Sequence, residues 1–422
     1  MTTAAQHTYL MVLAVPAYRV DATHFAIESA FVYHLRMLKE KLGSLAKKLV
    51  LASPFLTDQD FETRKENMIV VDEEAEGIHF AGMFSVHSGR LQYLRELPQT
   101  MRALLKEVRA ADFVHAGHSN IYRMFEFPSL LIGRALGKQT IAVTDIDFRG
   151  SARMNYATGR WTKREYLMSR FLHSPIMHLE HLVTARLCSL VLLKGASLAR
   201  DYGSGRANVK NFLDSAYSSE HIIPQNQLDE KVSKLLEGSS AINITYFGRL
   251  IQYKGIDHML RALARAKDLG LKNFTFQIVG NGEAESELRK LTKELQLENE
   301  VTFHGAVPFG DKLFKLLYSC HILLAAPLSE DTPRSALDAM ASGQAIVAYD
   351  TYYYRELMEA GAGIDLVPWN DYETLGQKLY QLCSDRPRLA RSIENSAKFT
   401  QDNTQEIWLD RRVNWTKELI EQ

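Results

Sequence analysis

The sequence predicts an α/β protein of two consecutive domains, each built on a parallel sheet. Three observations predict it. The chain has 422 residues, beyond the size at which one hydrophobic core usually keeps growing. Short apolar runs alternate with helix-spaced apolar patterns along both halves, as βαβ units require. Between the halves the alternation lapses into "DSAYSSEHIIPQNQLDEKVSKLLEGSSAIN". That polar, Ser- and Gln-rich stretch, residues 214–243, reads as an interdomain linker. The domains are accordingly read as residues 1–217 and 218–400, with 401–422 a helix that packs back on the first domain.

Taken in order, "YLMVLAV", "KLVLAS", "FVHAG", "TIAVTD" and "SLVLL" read as the strands of the first half. "HFAIESAFVYHLRMLKEKL" and "LQYLRELPQTMRALLKEV" carry helix-spaced apolar positions between them. The second half restarts with "INITYFG", "FTFQIVG", "EVTFHG", "HILLAA", "QAIVAYD" and "AGIDLV", each followed by a helical segment. In sheets of this kind ligands bind outside the carboxyl ends of the strands, so a deep crevice between the two domains is the expected site.

Composition narrows the chemistry. Hydrophobic residues make up 46% and charged residues 24%, an ordinary globular balance. Fifty bases offset fifty acids, which argues against a nucleic-acid partner held by bulk charge. Cys188, Cys320 and Cys383 stand isolated, suiting a reducing cytoplasm and neither a disulfide framework nor a zinc site. The apolar run at residues 10–15 follows no basic segment and reads as a first buried strand in preference to a signal peptide. No apolar run approaches the roughly 18 residues that span a bilayer.

The most informative stretch is "LSEDTPRSALDAMASGQAIVAYD", residues 328–350. Thr332 reads as a cap and Pro333 as the first helical residue, with the helix running to about Ser342 and Gly343 stopping it. The amides of Arg334 and Ser335 then face outward, where the helix dipole favours an anion such as phosphate. Asp338 lies five residues beyond Pro333, roughly 7.5 Å along the axis, about the distance from a diphosphate to the ribose that carries it. Glu330, in the preceding loop, would face the opposite end of such a ligand. "FGRLIQYKG" places Arg249 and Lys254 on the first strand–helix turn of the second domain, one a planar fork and the other a point charge. "IVGNGEAESEL" ends a strand in Gly280 and Gly282, a weak signal by itself. A nicotinamide dehydrogenase is disfavoured, since no full G-x-G-x-x-G follows an early strand.

Taken together, "GRLIQYKG", "VGNGEAESEL", "VTFHGAV" and "SEDTPRSALDAMASGQAIV" occur in an order and spacing that resembles glycosyltransferase family 4. Those are retaining enzymes of the GT-B fold, two Rossmann-like α/β domains facing each other across a deep cleft. The resemblance covers residues 242–385. It implies a nucleotide-diphosphate-sugar donor, with Arg249 and Lys254 on the diphosphate. Glu330 would contact the transferred sugar, and Thr332, Pro333, Arg334 and Ser335 would present phosphate-binding amides. Asp338, where the family has glutamate, would bind the ribose; Gln344 stands where the family usually has proline. The implied reaction transfers a sugar to an acceptor hydroxyl of a glycan, a lipid-linked or a small-molecule acceptor. The anomeric configuration is retained, and the departing phosphate helps to deprotonate the acceptor. Neither a cofactor nor a metal is expected, because Arg249, Lys254 and the helix dipole supply the positive charge. A catalytically silent binding subunit and a GT-B nucleotide-sugar epimerase are the alternatives.

The first domain resembles the family only in outline. Its first loop, "VPAYRVDATHFAIES", lacks the paired glycines of the family. "DFVHAGHS" resembles the family's D-h-h-H-x-H segment, with His115 in register and His118 one place late. His118 is the candidate for a catalytic contact to sugar or acceptor. "TDIDFRG" offers Asp145, Asp147 and Arg149 as acceptor-side candidates. In "RWTKREYLMSRFLHSPIMHLEHLV", His173, His178 and His181 lack metal-ligand spacing. The segment reads as the lining of an acceptor cleft or as internal packing; the alternative is a basic amphipathic surface touching a membrane.

Overall fold

A computed structural model describes residues 7–43, 45–118, 125–144, 150–238 and 240–421. The chain separates into two compact units. One comprises Met1–Asp145, Met168–Phe212 and Trp408–Gln422; the other comprises Ile146–Leu167 and Leu213–Ile407.

The first unit holds a seven-stranded sheet. Across it run Val209–Asn211, Leu190–Leu193, Gln139–Thr144, Phe113–Ala116, His7–Val12, Ala46–Phe55 and Ile78–Ser85. Every neighbouring pair is parallel. Successive side chains of a strand point to opposite faces, and both faces here are covered. Tyr9 and Met11 join one buried cluster, Leu10 and Val12 the other. Burial on both faces is why these strands read as continuous apolar runs rather than as alternations. The C-terminal helix Gln405–Glu421 sets Leu409, Val413 and Leu419 into the first of those clusters, with Trp415 against it.

The second unit holds a six-stranded parallel sheet. Its order is Val301–Gly305, Phe274–Val279, Ile242–Phe247, Ile322–Ala325, Ala345–Tyr349 and Ile364–Val367. All six strands read from the sequence of this half are present. Ile242, Ile244 and Tyr246 face one core, Phe247 the other.

Several expectations are corrected. Residues 24–42 are not one helix: His24–Glu28 is a strand paired antiparallel with Met68–Asp72, and the helix starts at Ser29. The strands Ile78–Ser85 and Val209–Asn211 had no counterpart in the sequence reading. Nor is the stretch at 214–243 a bare linker. It contains the helix Gln225–Glu237, whose Leu228 and Leu235 enter the second unit's core. Lys231 on the same face is 8% exposed and donates to the carbonyls of Cys320, Ser342 and Gly343 at 2.8, 2.9 and 2.8 Å. Those carbonyls follow the ends of two helices, where unpaired acceptors and the dipole favour a cation. Finally, Ile146–Leu167 belongs with the second unit, which a single cut at residue 217 does not provide for.

Candidate active site

Numbered along the chain, the second sheet has the order 3-2-1-4-5-6. Its first and fourth strands, Ile242–Phe247 and Ile322–Ala325, lie side by side. Connections leave these two strands in opposite directions, so a recess opens beyond their carboxyl ends. That recess, about 380 Å³ with its open solvent space, is lined by Gly248, Lys254, Pro327, Asp331, Pro333 and Ser335, with Tyr246 and Tyr354 among its walls.

Lys254 ends a short turn, Gln252–Lys254, that leads into the helix Ile256–Asp268. Its Nζ forms an ion pair with Asp331 Oδ2, and the two side chains are 16% and 15% exposed. Asp331 Oδ1 also accepts the backbone N–H of Thr332 at 3.0 Å. Arg249 is exposed and donates from Nη2 to the Tyr253 hydroxyl at 3.2 Å. Lys254 Nζ and the Arg160 guanidinium lie 5.2 and 5.1 Å from the Tyr253 ring centroid, within cation–π reach. Three cations therefore gather around one tyrosine. Gly280 and Gly282 serve this turn by allowing close approach. A Cβ on either would meet the Gly248 or Leu250 carbonyl oxygen at 1.9 or 2.3 Å.

The helix of the opening motif spans Arg334–Ala341. Pro333 holds the position just before it, and no side chain caps it, so Thr332 does not take the expected capping role. The helix nevertheless starts at the recess, with Ser335 on its wall. Arg334 Nε lies 3.9 Å from Asp214 Oδ2. Glu330 is half-buried, and Gly150 packs on it: a Cβ there would lie 3.1 Å from Glu330 Cγ. Asp338 is only 4% exposed. Burial pushes its carboxyl up to about 7, against the pull of Arg334 and of the Tyr217 backbone N–H. Its Oδ1 has no hydrogen-bond partner among the described residues. Gln344 is fully buried and donates from Nε2 to the Leu317 carbonyl at 3.1 Å.

The sequence reading missed Asp331, Tyr253 and Arg160. Asp331 was legible as a third acid between Glu330 and the helix. Tyr253 was legible as the residue preceding Lys254. Nothing in the sequence tied Arg160 to residues about ninety positions away.

The carboxyl edge of the first sheet is of another character. His115 is buried, and Arg412 of the C-terminal helix donates to its Nδ1 at 2.7 Å and to the Tyr9 hydroxyl at 3.0 Å. Burial, reinforced by Arg412, holds that imidazole well below its usual pKa. His118 stacks on His181 with centroids 4.1 Å apart. Its Nδ1 and Nε2 lie 2.6 and 3.3 Å from the hydroxyls of Thr144 and Thr184. Burial, with the neighbouring His181, lowers its pKa to about 3, so the ring is neutral at any working pH. Glu180 is 3% exposed, and desolvation raises its carboxyl to about 7. Asp145, Asp147 and Arg149 lie outside the described residues.

With this geometry in hand, comparison with known proteins assigns the second unit. Residues 228–399 match the family model "Glycosyl transferases group 1". That stretch is similar to a group 1 glycosyltransferase domain. The domain contains Arg249, Lys254, Gly280, Gly282 and the whole 328–350 stretch; residues 1–227 lie outside the match. Among curated relatives, the 2-deoxystreptamine glucosyltransferase of Streptomyces kanamyceticus is 30% identical over 106 residues, 25% of this chain and 27% of that protein. The putative colanic acid biosynthesis glycosyltransferase WcaL of Escherichia coli K12 is 29% identical over 147 residues, 33% and 36% of the two chains. Across these and other curated glycosyltransferases that it matches, the chain spans 26% to 54% of the relative's own length. Solved structures match more widely. HepE of Anabaena, in complex with UDP and glucose, aligns over 98% of this chain and 100% of its own with a TM-score of 0.62 at 15% identity. WaaG, a glycosyltransferase involved in lipopolysaccharide biosynthesis, aligns over 96% and 98% with a TM-score of 0.63 at 11% identity. The matched segment thus lies in a chain whose fold is GT-B, with two Rossmann-like parallel-sheet domains.

Proposed function

We propose that this protein transfers a sugar from a nucleoside-diphosphate sugar to an acceptor hydroxyl, with retention of anomeric configuration and without a metal. One observation carries the reading: the start of the Arg334–Ala341 helix, with Pro333 and Ser335, borders the same recess as Lys254 at the switch point of a Rossmann-type sheet. Arg249 and Lys254 hold the diphosphate together with the amides at the helix start. Glu330 accepts hydroxyls of the sugar. Asp338, whose Oδ1 is an acceptor left over inside the protein, takes a ribose hydroxyl; a buried lone acceptor is costly unless something pairs with it.

In the reaction the acceptor oxygen bonds to the anomeric carbon as the bond from that carbon to the β-phosphate oxygen breaks. The acceptor proton passes to a phosphate oxygen, and the nucleoside diphosphate departs. Negative charge grows on the leaving phosphate, where fixed cations and peptide dipoles stabilise it without reorganising. That is the chemistry for which a divalent ion would otherwise be recruited. Acceptor recognition falls to the first unit, where His118 supplies a neutral hydrogen-bonding group. Asp145, Asp147 and Arg149 remain acceptor-side candidates. The helical segment after Met168 leaves Phe171 72% and Leu172 48% exposed beside Arg170. A basic, apolar surface of this kind suits peripheral contact with a membrane that carries a lipid-linked acceptor, on its cytoplasmic face. No helix among the described residues is long and apolar enough to cross a membrane.

The test is a thermal-shift panel of nucleotide sugars, since a ligand of the folded state raises its melting temperature. UDP sugars come first because HepE was solved with UDP-glucose. The stabilising donor is then incubated with and without acceptors, and the product linkage is read by NMR. Transfer with the donor's anomeric configuration, unaffected by EDTA, supports the proposal. Epimerised donor in the absence of acceptor, or binding without turnover, overturns it.

A further inference from the structure

We infer that Asp331 is a built-in stand-in for the donor's diphosphate, and that its displacement sets the affinity of the site. The inference rests on the diphosphate reading of Lys254. One carboxylate occupies two of the donors that a diphosphate would use. Its Oδ2 pairs with Lys254 Nζ, and its Oδ1 accepts the Thr332 backbone N–H at 3.0 Å. Both contacts lie at the wall of the recess, and both charged side chains are more than four-fifths removed from solvent. This is therefore no solvated surface pair; screening by water is weak, and each charge depends on the other.

A phosphate oxygen that takes Lys254 meets the carboxylate at the same cation. Two anions at contact distance in a partly dry pocket repel strongly, so one must leave. Asp331 is the one able to move. It lies in the connection between the strand Ile322–Ala325 and the helix Arg334–Ala341, outside both elements. Rotation of its side chain releases Lys254 and the Thr332 amide together, toward the ligand that replaces it. The ion pair holds the lysine side chain at the wall of the recess. The same contact taxes the affinity of every donor by the cost of breaking it.

The experiment titrates the full-length chain with inorganic pyrophosphate, an anion shared by all candidate donors, in four forms: wild type, Asp331→Asn, Lys254→Met and the double variant. Asparagine is isosteric, and Asp331→Ser carries the same test should the asparagine variant fail to fold. Asp331→Asn is expected to tighten pyrophosphate binding on the order of tenfold, as relief of a close like-charge contact near a surface allows. Lys254→Met weakens binding, and Asp331→Asn adds no gain in its background, because the two groups act as one coupled pair. Unchanged or weaker binding by Asp331→Asn, with Lys254→Met still weakened, overturns the inference and leaves the diphosphate reading standing. A gain that persists in the Lys254→Met background also overturns it, since the carboxylate would then act only as a distant charge. Wild-type binding in Lys254→Met, or no binding by any form, removes the diphosphate reading and the inference with it.

Discussion

The two units share a plan and differ at its rim. Each has its first strand beside its fourth at the sheet's centre, so the switch point that favours a crevice lies at the same topological place in both. At the second unit's rim stand Arg249, Lys254, Arg160 and a helix N-terminus, with carboxylates held among them. At the first unit's rim stand two imidazoles that burial keeps neutral and the hydroxyls that contact His118. One topology thus carries cations and a helix start at its rim in one case and neutral polar groups in the other. Topology decides where a ligand can bind; the side chains at the strand ends decide its charge.

The contrast breaks most directly at Lys254. Lys254→Ala is expected to lower kcat/KM by about 100-fold or more, the usual scale for losing a donor that stabilises leaving-group charge, and to lower the melting temperature as well, because Asp331 is left unpaired, with the chain still folded at the assay temperature. Steady-state assays with the stabilising donor, run beside thermal melts, check this. A loss under threefold would make the second rim no more functional than the first. Glu330→Gln follows, with an expected loss of roughly 10- to 100-fold in kcat, since hydrogen bonds to a charged partner are worth about 1.5–3 kcal/mol. Arg249→Ala should cost about tenfold, chiefly in KM, because its exposed guanidinium is better screened. A larger loss than that of Lys254→Ala would invert the assignment of the two cations.

Asp338 sharpens the comparison through stability. Its carboxyl keeps its proton to about 7 in the folded chain, against 3.8 for an ordinary aspartate. Between those values the folded state binds more protons than the unfolded state. This group's contribution is therefore most favourable below the lower value, falls as pH rises through the interval and levels off above about 7. Asp338→Asn should flatten that fall, raising stability at pH 7.5 relative to pH 5 by on the order of a few kcal/mol compared with wild type. Urea melts at the two pH values measure it. The smallest effect belongs to His118. With its pKa near 3, the ring does not titrate between pH 5 and 8, so His118→Gln should leave the shape of the kcat profile unchanged there. A limb that disappears in the variant would mean that the imidazole ionises during turnover.

How far the sequence could be read differed between the halves for a physical reason. In the second half every strand is bracketed by helices, and the strands Ile322–Ala325 and Ala345–Tyr349 are buried throughout, so local pattern and tertiary role coincide. Its glycines had a visible signature as well. In the first half His24–Glu28 carries a helical spacing that merges with the following helix. Pairing with Met68–Asp72 on one side and Tyr18–Arg19 on the other makes it a strand. Residues 214–243 looked polar because most of the helix Gln225–Glu237 faces water. Its buried face is narrow, and one of the residues on it is a lysine.

The sequence alone determined the alternation of strands and helices, the six strands of the second sheet, and the placement of Lys254, Arg249, Glu330 and the Arg334–Ala341 helix near strand ends. These follow from local periodicity and from the chain direction of βαβ units, which bring the loops after successive parallel strands to one edge. Tertiary structure alone decided that Asp331 pairs with Lys254, that Arg160 reaches Tyr253, that Arg412 holds His115, and that burial raises Asp338 while lowering His118. Each of these depends on distances between residues far apart in the chain and on the loss of water around them. A linear pattern encodes neither.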